Sequence, residues 1–256
     1  ANVPNVMVGS APHASYWLLR TEDAATESLL ELDNWVRAVE FADSVGVDVV
    51  NSSLGYSTFD DSSMNFSYSD MDGKTARISI AATMAARKGM LIVSSAGNDG
   101  SNAWHYISVP ADADSIITVG GVNYSGEHCA FSSYGPTFDN RIKPTVCSVA
   151  YDTYVVGTSG EIYGGTGTSF ASPIMAGAVA CLWQALPNLT NMQIIELLKS
   201  NSSLSDTPNN VLGYGIPNLY QIYNNSILKI DEAENKNIVV CPNPFLEKLK
   251  ISLLGE

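Results

Sequence analysis

With 256 residues, 45% of them hydrophobic and 15% charged, the chain can bury a sizeable core, which excludes a disordered polypeptide. Thirteen basic against twenty-six acidic side chains leave a net charge of −13, the wrong sign for gripping nucleic acid or an anionic membrane surface. No apolar run approaches the roughly 20 residues of a membrane span. Abundant Ser, Asn, Thr and Gly with little charge fits a secreted protein. The four cysteines, Cys129, Cys147, Cys181 and Cys241, show no metal-ligand spacing. Cys129 and Cys147 are candidates for pairing, Cys181 reads as a buried small hydrophobe, and free thiols are the favoured state.

In chain order, Tyr16 to Arg20 is a short apolar run that predicts a buried strand. Glu31 to Asp43 carries Leu32, Trp35, Val36 and Val39 at helical spacing, and Val47 to Asn51 predicts a second strand. Lys74 to Lys88 is an alanine-rich helix with Gly89 placed to end it. Met90 to Ser94 and Ser115 to Val122 are the third and fourth strands. This alternation predicts an α/β fold, a three-layer sandwich with a mostly parallel sheet between helices. Ligands of such sheets bind at the carboxyl ends of the strands. Ser53-Leu54-Gly55 follows the second strand there, and Ser95-Ala96-Gly97-Asn98 the third.

Further on, Gly164-Gly165-Thr166-Gly167-Thr168-Ser169-Phe170-Ala171-Ser172-Pro173 is a glycine-rich loop ahead of an almost uncharged run, Ile174 to Leu186. The run reads as a helix buried on most sides, with Pro173 near its first turn, where a missing N–H costs little. Ser169 then stands at the N-terminus of a buried helix, where a hydroxyl meets substrate and free N–H groups face a developing anion. A helix N-cap accounts for a serine at this position equally well.

Gly-Thr-Ser-Phe-Ala-Ser-Pro resembles the nucleophile motif of the subtilisin-like serine proteases. Ser53-Leu54-Gly55 is similar to the family's segment that pairs backbone to backbone with an extended peptide. Ser95-Ala96-Gly97-Asn98 is similar to the segment that walls the P1 pocket and supplies an asparagine donor to the oxyanion. Phe131-Ser132-Ser133-Tyr134-Gly135-Pro136 and Gly213-Tyr214-Gly215 agree with further family turns, whereas Cys147-Ser148-Val149-Ala150 departs from the pattern expected after Lys143-Pro144. The resemblance implies Ser169 as nucleophile, Asn98 with the Ser169 backbone N–H as oxyanion hole, and polypeptide substrates. It implies no cofactor for catalysis. The insertion Tyr56 to Gly73 follows the substrate segment directly, so it is expected at the cleft rim. Its Asp60, Asp61, Asp70 and Asp72 are expected to influence substrate choice or to hold a structural Ca²⁺; a solvated acidic loop fits equally.

The family's Asp-x-Gly and His-Gly-Thr motifs do not occur in this sequence. His13 lies in a turn like the one after the family's catalytic helix, and His105 and His128 lie in loops. The chain therefore reads as a peptidase domain over residues 1–223 without its N-terminal Asp and His segments, and is expected to be inactive as it stands. A non-catalytic adhesion or binding protein on the same fold is the alternative. An α/β-hydrolase esterase is disfavoured, because Ala171 replaces the last glycine of its Gly-x-Ser-x-Gly elbow. Residues 224–237 read as a polar linker. Pro242-Asn243-Pro244-Phe245, ahead of alternating Leu249 to Leu253, resembles the start of a type IX secretion sorting module over residues 238–256. That resemblance implies a bacterial protein, secreted or at the cell surface, with secretion machinery as a partner.

Overall fold

The computed structural model describes residues 2–3, 7–234, 238–240 and 251–253. Two short antiparallel strands, β1 (Asn2–Val3) and β2 (Met7–Val8), precede helix α1 (Leu29–Ser44). The helix starts where it does because Ser28 and Glu31 form a capping box, with Glu31 Oε2 accepting the Ser28 N–H at 3.0 Å. Strand β3 (Val49–Ser52), helix α2 (Arg77–Arg87), β4 (Leu91–Ser95), β5 (Ile117–Val122) and β6 (Val146–Val149) follow. The four strands lie in the order β3-β4-β5-β6, all parallel. An antiparallel hairpin, β7 (Thr153–Val156) with β8 (Ile162–Gly165), leads into α3 (Thr168–Ala185), α4 (Asn191–Ser200) and α5 (Leu219–Glu234).

Alternation along the strands builds the layers. Ile92 and Ile116 turn toward α1 and α2, where they join Leu32, Trp35, Val39, Ile78 and Ala82. Leu91, Val93, Ile117, Val119 and Val146 turn the other way and pack on α3 and α4 through Met175, Val179, Ile194 and Leu198. Every residue of β4 and β5 is buried, as a parallel sheet covered on both faces requires. The expected three-layer α/β sandwich is the architecture observed.

Three local expectations need correction. Residues 16–20 are irregular rather than a strand, with Tyr16 69% and Leu18 92% exposed. An apolar run becomes a strand only beside a ladder, and none of the described strands pairs with it. Helix α2 starts at Arg77 rather than Lys74, because Asp72 Oδ1 captures the N–H groups of Lys74 and Thr75 at 2.8 Å each in a preceding turn. Cys181 is exposed, its thiol against the Ser10 carbonyl at 3.3 Å, while Cys129 and Cys147 are buried free thiols. Burial pushes the Cys147 thiol up to about 12.

The boundary expected at residue 223 falls inside α5, which continues to Glu234. Residues 224–230 keep Ile227, Leu228 and Ile230 at helical spacing, and nothing before residue 235 breaks the helix. Farther on, β9 (Ile238–Val240) and β10 (Ile251–Leu253) form an antiparallel pair. The Pro242–Phe245 motif lies outside the described residues.

Candidate active site

β3 and β4 are parallel neighbours, so the segments that leave their carboxyl ends emerge side by side. The N-terminus of α3 comes down onto them. This helix begins at Thr168, several residues ahead of Pro173, with Gly167 as its cap. Gly167 has φ 149° and ψ 155°, a region open in practice only to glycine, and its N–H is held by the Ala150 carbonyl at 2.8 Å. Ser169 is therefore the second helical residue and not a cap. It is half-buried, in the first turn, where backbone N–H groups lack helical acceptors.

Asn98 is fixed to the same turn. Its Oδ1 accepts the Thr168 backbone N–H at 2.8 Å and the Thr168 hydroxyl at 3.0 Å. With the amide oxygen committed to the helix start, Nδ2 remains as a donor that bonds no described residue. Thr168 is fully buried, and its Oγ1 also lies 3.3 Å from Gly97 N and 3.1 Å from Gly97 O. Behind the turn, the Ser133 N–H donates to Gly97 O at 3.0 Å and Ser133 Oγ accepts the Asp99 N–H at 3.0 Å. Sequence reasoning missed Thr168, whose only signal was its place before Ser169.

Ser53 and Gly55 are exposed and Leu54 is half-buried. The Ser53 hydroxyl donates to the Ser169 carbonyl at 2.9 Å, and Ser169 Oγ donates to the Ser53 carbonyl at 3.3 Å. Gly55 and Gly97 both face Ser108: a Cβ on Gly55 would collide with Ser108 Oγ, and one on Gly97 would lie 3.4 Å from it. The two predicted segments thus meet across Ser108, which nothing in Ile107-Ser108-Val109 had marked. Ser95 and Ala96 stay behind this line, only 4% and 0% exposed, with Ala96 packed on Ile107 and Ala111. They support the groove from the core side and do not face it.

Residues 1–215 match the subtilase family of peptidases. The chain belongs to that family. Subtilisin DY of Bacillus licheniformis is 31% identical over 201 residues, which are 77% of this chain and 64% of that protein. Subtilisin E of Bacillus subtilis is 31% identical over 77% of this chain and 46% of its own length. The chain thus spans about half to two thirds of these relatives. Among solved structures, the self-cleaved protease domain of PatA is 21% identical with a TM-score of 0.60, covering 77% of this chain and 68% of its own. MycP1 with its N-terminal propeptide removed is 21% identical with a TM-score of 0.66, covering 87% of this chain and 75% of its own. These two likenesses concern the fold.

The histidines of this subtilase are placed away from Ser169 in hydrogen-bonding terms. His13 is exposed. His105 stacks on Tyr134 at 4.2 Å between centroids, and its Nδ1 bonds the Gly100 carbonyl at 2.9 Å. His128 lies tilted against Tyr134 at 4.8 Å, with its Nδ1 3.4 Å from the phenol oxygen and its Nε2 buried without a partner among the described residues. Burial holds the His128 imidazole below its usual value; His105 adds to this and the Ser132 backbone opposes it.

The aspartates of the insertion are bonded to backbone N–H groups, two within their own turns and one to the segment before α1. Asp61 Oδ1 accepts the Ser63 N–H at 2.9 Å, Asp70 Oδ2 the Ser67 N–H at 2.7 Å, and Asp60 Oδ2 the Glu27 N–H at 3.1 Å. Its Tyr56, Phe59 and Met71 are buried in the core beside α1 and α2. No group of three or more His, Cys, Asp or Glu side chains gathers to hold a metal among the described residues.

Proposed function

We propose that this subtilase is a serine endopeptidase in which Ser169 Oγ attacks the scissile carbonyl. The observation that carries the reading is that Ser169 and the Asn98 amide share the first turn of α3, with Asn98 Nδ2 left as the free donor. As the carbonyl carbon becomes tetrahedral, charge gathers on its oxygen. Asn98 Nδ2–H and the Ser169 backbone N–H then stabilise it in a site already oriented for the task. The backbone of Ser53–Gly55 pairs with the extended substrate.

Within the described residues, Ser169 Oγ donates only to a backbone carbonyl, which is too weak a base to take its proton. We infer that the general base and its orienting carboxylate come from polypeptide other than these residues, and that these residues alone do not hydrolyse peptides at an enzyme-like rate. The same placement favours the second reading, a binding protein on the subtilase fold. Labelling with a fluorophosphonate probe separates the two. The chain, its Ser169→Ala variant and a version preceded by Asp-x-Gly and His-Gly-Thr segments are compared. Fast labelling only in the extended version, lost with Ser169→Ala, supports the peptidase; none in any version leaves the binding protein.

The low charge and the residues 238–256 together support export through a sorting module, with secretion machinery as partner. Among the described residues no helix is long and apolar enough to cross a membrane. Deleting residues 238–256 should retain the protein inside its host cell without lowering the Tm of the peptidase domain.

A further inference from the structure

In an α-helix the N–H of residue i+4 returns to the carbonyl of residue i. Four residues after Ser169, inside α3, stands Pro173, which has no N–H. The carbonyl of the candidate nucleophile is thereby deprived of its helical donor. Its replacement comes from 116 positions away in the chain, as the Ser53 hydroxyl donates to Ser169 O at 2.9 Å.

That hydroxyl is itself oriented. Ser172 Oγ, in a fully buried residue of α3, donates to Asn51 Oδ1 at 2.8 Å, and Asn51 Nδ2 donates to Ser53 Oγ at 3.1 Å. A serine hydroxyl carries one proton. With the Asn51 amide donating to its oxygen, Ser53 turns that proton onto Ser169. The return bond from Ser169 Oγ to the Ser53 carbonyl at 3.3 Å closes the loop. None of these three residues has a proton-transfer role; together they join the end of β3 to the first turn of α3.

We propose that Ser53 is a positioning residue: its hydroxyl takes the place of the N–H absent at Pro173 and ties the Ser53–Gly55 segment to the peptide unit that carries Ser169. The catalytic consequence rests on Ser169 being the nucleophile, whereas the tie itself does not. This assignment changes the expected role of Ser53, because its side chain has no proton left for a substrate; only the backbone of the segment remains for pairing. Without the tie, the Ser169 carbonyl tilts toward water, as a carbonyl freed by proline does, and Oγ moves with it.

The test is a cycle of Ser53→Ala and Pro173→Ala, the latter at an exposed position where alanine restores the helical N–H. Ser53→Ala alone should lower Tm by about 2 °C, and by much less in the Pro173→Ala background. The ¹³C resonance of the Ser169 carbonyl should move upfield in Ser53→Ala and return in the double variant and in Ser53→Thr, which keeps the hydroxyl. Equal losses in both backgrounds, or a carbonyl resonance unmoved by Ser53→Ala, overturn the proposal. In the extended, active version Ser53→Ala should slow fluorophosphonate labelling about tenfold, with rescue by Ser53→Thr. If no version is labelled, the nucleophile reading fails while the Tm cycle and the carbonyl shift still decide the tie.

Discussion

The site and the acidic insertion use the same side chains, Ser, Asn and Asp, for opposite ends. In the insertion the aspartate bonds are mostly short-range: Asp61 to Ser63, Asp70 to Ser67 and Asp72 to Lys74 each close a turn on its own backbone, while Asp60 reaches the Glu27 N–H. At the site they span the chain, from Ser53 to Ser169, from Asn51 to Ser172 and from Asn98 to Thr168. A local bond stabilises a turn wherever that turn sits. A long-range bond sets the distance between two elements, so losing it changes geometry that chemistry depends on.

That contrast is most sharply tested at Asn98. Asn98→Asp keeps the oxygen that receives the Thr168 N–H but removes the free donor, so the fold should hold while the oxyanion is lost. In the extended, active version kcat should fall by at least about 10²–10³, the loss measured for such a donor in an enzyme of this family, with little change in Tm. A kcat within a few-fold of the parent would remove Asn98 from the site.

Gly167 comes next, since the turn that presents Ser169 depends on its backbone. A Cβ there meets nothing closer than 3.5 Å, so the demand is conformational, from φ 149°. Gly167→Ala should cost about 1–3 kcal/mol in chemical denaturation, the usual penalty for a side chain in that region. A cost near zero would show that the turn relaxes easily.

A smaller effect is expected at the His105–Tyr134–His128 stack, which adjoins the Ser133 brace behind Asn98. The groups facing His128 are His105, the Tyr134 hydroxyl and the Ser132 backbone. Burial depresses its value in the folded state, so the unfolded chain binds the proton first as pH falls. The sign follows: its contribution is complete above the unfolded value of about 6.5, declines as pH drops toward the depressed folded value, and is then level. Subtracting the pH–Tm curve of His128→Gln from that of the parent should show this step. A flat difference would mean that His128 reaches solvent.

The smallest effect belongs to the insertion. Asp60→Asn with Asp61→Asn should leave labelling of Ser169 unchanged and shift Tm by less than about 2 °C, with or without Ca²⁺. A Ca²⁺-dependent rise in Tm that these changes abolish would assign a metal to this loop.

Much of the architecture was legible because it rests on local rules. The apolar spacing of Leu32, Trp35 and Val39 marked α1, and the runs ending at Asn51 and Ser94 marked strand ends within one residue of those observed. Legibility stopped where a partner had to be chosen. The apolar run 16–20 has strand composition, yet no described strand receives it. Ser95 and Ala96 belong to the right segment, but both are buried, Ala96 against Ile107 and Ala111. Ser108 and Asn51 carried no signal and Thr168 only its place before Ser169, since their partners across the site are distant in sequence.

The sequence by itself determined the order from α1 to β5, the three layers and the loop from Gly164 to Ser169, because periodicity, glycine and proline act on their immediate neighbours. It also determined that Pro173 has no N–H to return to Ser169. Only the tertiary structure decided who fills that gap. The parallel pairing of β3 with β4, and the packing of α3 across their ends, bring Ser53 to the Ser169 carbonyl and Thr168 to Asn98. A hydrogen bond depends on positions within a fraction of an ångström, and only the packed chain specifies those.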